Sequence, residues 1–256
     1  MAPARTGASA VLRWLGDALI AGVDDIEVTA LLVDRPVEEQ LEWRLELPAA
    51  RIVGTSSDVD GPEEHAALVS TFHEAAHAAA TGRHVALLVD SLAALARSLV
   101  ATSDPRDTLA HEGGMAHATL RELRGLFGLA RANATTDAGS LTILATVQTE
   151  THQQLDELLL HELVGTGNVE WRLDADAMQA GLFPPVDIIA SSARRTELIV
   201  GDAQADRRAR LRAQIDRNGV VGGLALLVQQ LDELGTLDAV IDDLPAPPPP
   251  PADLDW

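Results

Sequence analysis

His84-Val-Ala-Leu-Leu-Val-Asp90-Ser91 carries an unbroken apolar run, Val85 to Val89, that stops at an aspartate. A strand apolar at every position, rather than at every second one, is buried on both faces, which is the habit of parallel sheets packed between helices. An aspartate closing such a strand stands at the carboxyl edge of the sheet, where α/β proteins bind ligands. Apolar strands ending in Asp are common, so the neighbours decide what this one means.

Outward from it, residues 28–34, 51–54, 140–146 and 168–173 also read as strands, several of them buried on both faces. Residues 10–21, 37–47, 63–81, 91–101 and 115–131 carry helical periodicity. Strand and helix in alternation predict an α/β fold with a mostly parallel sheet flanked by helices. From residue 203 onward the pattern is helical only, which predicts a small C-terminal helical part. Residues 244–256 include five consecutive prolines at 247–251. They read as a disordered polyproline II tail outside the core. The expected organisation is therefore a core over 1–200, a helical subdomain over 201–243 and the tail over 244–256.

The 256 residues include 19 arginines, no lysine and 39 acids, for a net charge of −20, and no cysteine. Disulfides and thiolate metal sites are excluded, so any metal must rest on Asp, Glu or His. Such an acidic surface repels nucleic-acid phosphates unless arginines are focused in one patch. No apolar run approaches the roughly 20 residues of a membrane span, and the start lacks the apolar core of a signal peptide, so the expected location is cytoplasmic with no membrane partner.

Two motifs carry chemistry. His73-Glu-Ala-Ala-His77 matches the zinc-protease pattern H-E-x-x-H, which sets two imidazoles on one helix face with Glu74 as base. His84 is at neither usual distance for a third ligand, and the helix is alanine-rich, so the histidines are expected to face solvent and no zinc is expected. Leu87-Leu-Val-Asp90-Ser91 has the form of a Walker B segment, whose Asp holds Mg²⁺ through water.

Further segments turn this form into a resemblance. Leu87-Leu-Val-Asp-Ser-Leu-Ala-Ala-Leu-Ala-Arg97, Gly128-Leu-Ala-Arg131, Gly139-Ser-Leu-Thr-Ile-Leu-Ala-Thr146, Gly165-Thr-Gly-Asn-Val-Glu170, Phe183-Pro-Pro-Val-Asp-Ile188 and Ser192-Ala-Arg-Arg-Thr-Glu-Leu198 resemble, in order and spacing, the C-terminal motor of the Rho family of bacterial transcription terminators. The resemblance runs from about residue 2 to residue 243. It implies a RecA-like P-loop NTPase fold, ATP with Mg²⁺ as ligand, and Rho-like subunits as partners in a homo- or hetero-oligomer.

Carried over residue by residue, the resemblance makes Arg5, Thr6, Gly7 and Ser9 the phosphate loop, with Ser9 and Asp90 on the metal. Phe183 becomes the aromatic that stacks on adenine, and Arg194 the finger that reaches a neighbouring subunit's nucleotide, catalytic together with Asp90. Gly113, Gly114, Gly165, Thr166 and Gly167 become the RNA-gripping loops.

Several positions depart from that pattern. Ala8 stands where the family has its phosphate-bridging lysine. Asp34-Arg-Pro-Val-Glu-Glu39 replaces a segment whose first glutamate polarises the attacking water, so that glutamate is either deleted or replaced by Arg35. Val164, and Leu109 with Glu112, stand where the family grips RNA with cations, and Ala94 replaces the first arginine after Asp-Ser while Arg97 matches the second. Neither the strand that feeds the phosphate loop nor the family's N-terminal RNA-binding half has a counterpart in the 256 residues. The expectation is a Rho-like ATPase-domain homologue, defective in hydrolysis and translocation, with ATP and Mg²⁺ weakened, RNA held weakly if at all, and a role as a regulatory or assembly pseudo-subunit. A divergent ATP-dependent RNA translocase and a non-catalytic interaction module stay open as alternatives.

Overall fold

Alternate residues of a strand point to opposite faces, so a run apolar throughout must be covered on both. The computed structural model of the protein, which describes residues 1–3, 6–55, 61–102, 111–112, 115–130, 139–163 and 167–244, does this. Leu31, Val85, Leu87 and Val89 belong to one core with Leu68, Phe72, Leu95, Leu123 and Leu159. Ala30, Leu32, Ala86 and Leu88 belong to a second core with Leu12, Trp43 and Leu47. The chain divides into two compact units, Met1–Thr166 and Gly167–Trp256.

In the first unit the elements run β1 (Ala2–Pro3), α1 (Ala8–Gly22), β2 (Ile26–Leu32), α2 (Val37–Glu46), β3 (Arg51–Gly54), α3 (Gly61–Ala80), β4 (His84–Asp90), α4 (Leu92–Ala101), β5 (His111–Glu112), β6 (Met115–Ala116), α5 (His117–Gly128), β7 (Ser140–Ala145), β8 (Gln148–Thr149) and α6 (Gln154–Leu163). The main sheet has the order β3-β2-β4-β7, with every neighbouring pair parallel. Helices α1 and α2 cover one face; α3, α4, α5 and α6 cover the other. This is the α/β architecture with a parallel sheet flanked by helices that the alternation of strand and helix predicts, and it has the RecA-like form that the resemblance implies.

From the sequence no strand is expected before the residues taken as the phosphate loop, yet Ala2–Pro3 pairs in parallel with Gln148–Thr149, just past the end of β7. Neither α6 nor the short antiparallel pair β5 and β6 is expected from the sequence, the pair because two-residue strands leave no periodicity. Gly16 lets α1 approach β4 closely, since a Cβ there would meet Leu88 Cδ1 at 2.8 Å.

The second unit holds β9 (Val169–Leu173), α7 (Ala175–Gln179), β10 (Val186–Ala193), α8 (Thr196–Val200), α9 (Asp202–Arg217), α10 (Gly219–Leu234) and α11 (Leu237–Asp242). Strands β9 and β10 are antiparallel, with a register shift between Asp187 and Ser192. Asp187 Oδ1 accepts from the backbone N–H groups of Ile189 and Ala190, and Arg212 donates to the carbonyls of Ile189 and Ser191. These bonds satisfy the backbone groups that the shift takes out of the ladder. Leu211, Ile215, Val240 and Ile241 form the core of the terminal helices.

Candidate nucleotide site

Four parallel strands bring their carboxyl ends to one edge, and the last residue of β4 is Asp90, only 1% exposed. Its Oδ1 accepts two hydrogen bonds, from Thr146 Oγ1 at 2.6 Å and from Arg35 Nη2 at 2.9 Å. Thr146 directly follows β7, and its backbone N–H donates to the Val89 carbonyl, so the sheet itself aims the hydroxyl. Asp90 Oδ2 is buried and has no partner among the described residues.

Arg35 is held just as firmly. After β2 the chain turns at Asp34, whose φ of 52° is left-handed. Arg35 then donates its backbone N–H to the Thr55 carbonyl, and its own carbonyl accepts from the buried Gln40 side chain at 2.9 Å. Thr55 Oγ1 accepts the Asp34 N–H and donates to Glu64, which also accepts from Ser98. The other end of the guanidinium faces Glu39 at 3.6 Å, one turn along α2. The Arg35 side chain is 26% exposed and that of Asp90 1%, so the two form a largely buried charge pair. Removing one partner of such a pair costs about 3 kcal/mol, because the other charge is left uncompensated.

The residues that the resemblance makes a phosphate loop lie at the start of α1. Gly7 is left-handed (φ 73°, ψ 31°) and caps the helix without a side-chain hydrogen bond. Thr6, buried, donates Oγ1 to the Pro3 carbonyl at 2.8 Å and fixes the turn. The first-turn N–H groups at Ala8 and Ser9 therefore meet no side-chain cap at Gly7, in the arrangement by which helix N-termini receive anions. Ala8 supplies no charge. Arg5 lies outside the described residues.

Of the other expected site residues, Gly113, Gly114, Gly165 and Thr166 also lie outside the described residues, as does Val164. Gly167 is exposed at the start of the second unit. In that unit Phe183 precedes a cis proline and is 45% exposed, and Arg194 is exposed, its backbone N–H donating to the Asn168 carbonyl. Ala94 is buried in α4, at 6% exposure. His73 and His77 are exposed, and Glu74 accepts a hydrogen bond from Arg51 at 2.6 Å. Among the described residues no group of three His, Asp or Glu side chains could hold a metal.

The donor set at Asp90 does not fit the Mg²⁺ expected from the resemblance. One carboxylate oxygen already accepts from a cation and a hydroxyl, and a divalent ion would add a second positive charge beside the fixed guanidinium. The residue type at 35 is legible in the sequence, but its reach to Asp90 is not, because 55 positions separate the two. The apolar strand ends and the Asp-Arg-Pro turn are the only signals that bring them together.

Comparisons with known proteins bear on the family and the fold. The profile described as "ATP synthase alpha/beta family, nucleotide-binding domain" matches residues 35–193. Transcription termination factor Rho of Rhodopirellula baltica is 27% identical over 234 residues, 90% of this chain and 45% of the relative. Rho of Streptosporangium roseum is 35% identical over 236 residues, 91% of this chain and 60% of the relative. The chain thus spans about half the length of these curated relatives. The assembled ATPase EscN of the enteropathogenic E. coli type III secretion system superposes with a TM-score of 0.66 at 21% identity, over 91% of this chain and 53% of that one, which is a likeness of fold.

Proposed function

Because the chain belongs to the ATP synthase alpha/beta family of nucleotide-binding domains, we propose that it is a Rho-like ATPase-domain subunit that holds nucleotide without splitting it and acts by joining active Rho-like subunits. The observation that carries this reading is the loop-to-helix junction at Gly7–Ser9. Its left-handed glycine and uncapped first turn keep the phosphate-binding backbone, while Ala8 puts a methyl group where the chemistry needs an ammonium. Phosphoryl transfer is driven chiefly by positive groups aimed at developing negative charge. Loss of one such group costs about 3 kcal/mol of transition-state stabilisation, or roughly two orders of magnitude in rate.

In this reading Gly7 and Ser9 of the first unit present N–H groups and a hydroxyl to phosphate, and Phe183 of the second unit keeps the base-stacking role that the resemblance implies. Arg194 is the group offered to a neighbouring subunit. A partner role is supported by similarity to Rho across nearly the whole chain, together with exposed apolar residues Val169, Trp171, Leu198 and Ile199 around the Arg194 segment. RNA is a minor partner at most, given the net charge of −20.

The test is to mix the purified chain with full-length Rho from its own host and follow both native mass and RNA-stimulated ATP turnover. Mixed assemblies and a changed turnover are expected, with both weakened by Arg194→Ala. Unmixed species and unchanged turnover at a large molar excess would refute the partner role.

A further inference from the structure

One inference deepens the nucleotide-site reading and rests on it. The divalent cation of a phosphoryl-transfer site does two things: it neutralises the strand-end aspartate, and it bridges phosphate oxygens. The first task is already performed here by the protein. Arg35 Nη2 lies 2.9 Å from Asp90 Oδ1, and Thr146 takes the same oxygen at 2.6 Å. The arginine is not a surface side chain that has folded down by chance. Its backbone is fixed on both sides, by Thr55 and by Gln40, and Glu39 faces the outer end of its guanidinium.

We propose that Arg35 is the resident cation of this site: its guanidinium takes the place of the divalent metal beside Asp90, so that the chain binds nucleotide without magnesium. Arginine suits the task because it is always charged and offers a fixed fork of donors. The same fork that satisfies Asp90 disfavours a metal there, since two like charges on one carboxylate repel. Asp90 Oδ2 keeps one acceptor site, which suits a neutral donor such as a single water. Gly54 contributes to the same device, because a Cβ there would overlap the Gln40 side chain that anchors the Arg35 carbonyl.

The experiment uses the full chain, Arg35→Gln and Arg35→Gln/Asp90→Asn. Mn²⁺ binding is followed by electron paramagnetic resonance, and thermal stability is followed in EDTA and in millimolar Mg²⁺. The unmodified chain is expected to bind no Mn²⁺ at Asp90 and to melt at the same temperature in both buffers. Arg35→Gln is expected to melt several degrees lower in EDTA, to recover in Mg²⁺, and to bind Mn²⁺; adding Asp90→Asn abolishes the recovery and the Mn²⁺ binding. If Arg35→Gln folds only when prepared with Mg²⁺, the metal has replaced the guanidinium and the proposal is supported. If it folds in neither buffer, or folds without any response to metal, the proposal is overturned. Binding of Mn²⁺ by the unmodified chain that is lost in Asp90→Asn overturns it too. A fluorescent ATP analogue separates this result from the nucleotide reading. Equal affinity with and without Mg²⁺ is expected, and a fall of about tenfold in EDTA contradicts metal-free binding. No binding in either buffer removes the nucleotide reading and the nucleotide half of the proposal, while the Mn²⁺ result still decides the role of Arg35 at Asp90.

Discussion

At the scale of single residues, Asp90 is governed by what shares its buried oxygen. Thr146 donates to it at 2.6 Å from a position 8% exposed, so Thr146→Val keeps the shape and removes one donor to a charged acceptor. Such a bond is worth about 2 kcal/mol, and urea denaturation should show a loss of that size, larger than for a threonine exposed to solvent. Gly7 is the second governed residue. Its φ of 73° costs a side chain about 1–2 kcal/mol, so Gly7→Ala should destabilise the fold by that much in the same assay. The aspartate that ends β4, the alanine at position 8 and the Asp-Arg-Pro turn at 34–36 were all legible in the sequence. The Arg35–Asp90 pair was not, since no local pattern reports which distant donor a buried carboxylate will find.

Among the elements, strands with two apolar faces were the readable ones. β4 and β2 are specified by residues that cannot face water on either side, and the structure places them at the centre of the sheet. β10 was read only as a motif, because Pro184 and Pro185 precede it and Asp187 breaks its ladder, both of which mask a period of two. Contacts between elements make sharper predictions than propensities do. Trp43 of α2 is fully buried against the sheet, with Arg13 5.8 Å above its ring, so Trp43→Ala should cost about 3–5 kcal/mol by chemical denaturation. Gly139, which leads into β7, has no room for a Cβ beside the Arg83 carbonyl oxygen. Gly139→Ala therefore forces backbone apart and should cost about 3 kcal/mol, whereas Gly22→Ala, with open space, should cost nothing measurable.

For the molecule as a whole, the α/β class followed from the alternation of strand and helix, and the family from ordered motifs spread over nearly all of the chain. What the chain does with that fold depends on charge. With 39 acids against 19 arginines and no lysine, phosphate-bearing polymers gain little from counterion release. C-rich RNA should bind with a dissociation constant of ~10⁻⁴ M or weaker at physiological salt in a filter assay. Among the described residues no helix is long and apolar enough to cross a membrane. The central claim, a nucleotide site that binds but does not turn over, is tested most directly by ATP hydrolysis of the purified chain with and without C-rich RNA, beside Ala8→Lys. The account predicts no RNA-stimulated phosphate release from either protein, because Arg35 still holds Asp90 when the lysine is restored. Turnover by the unmodified chain that disappears in Asp90→Ala would contradict it.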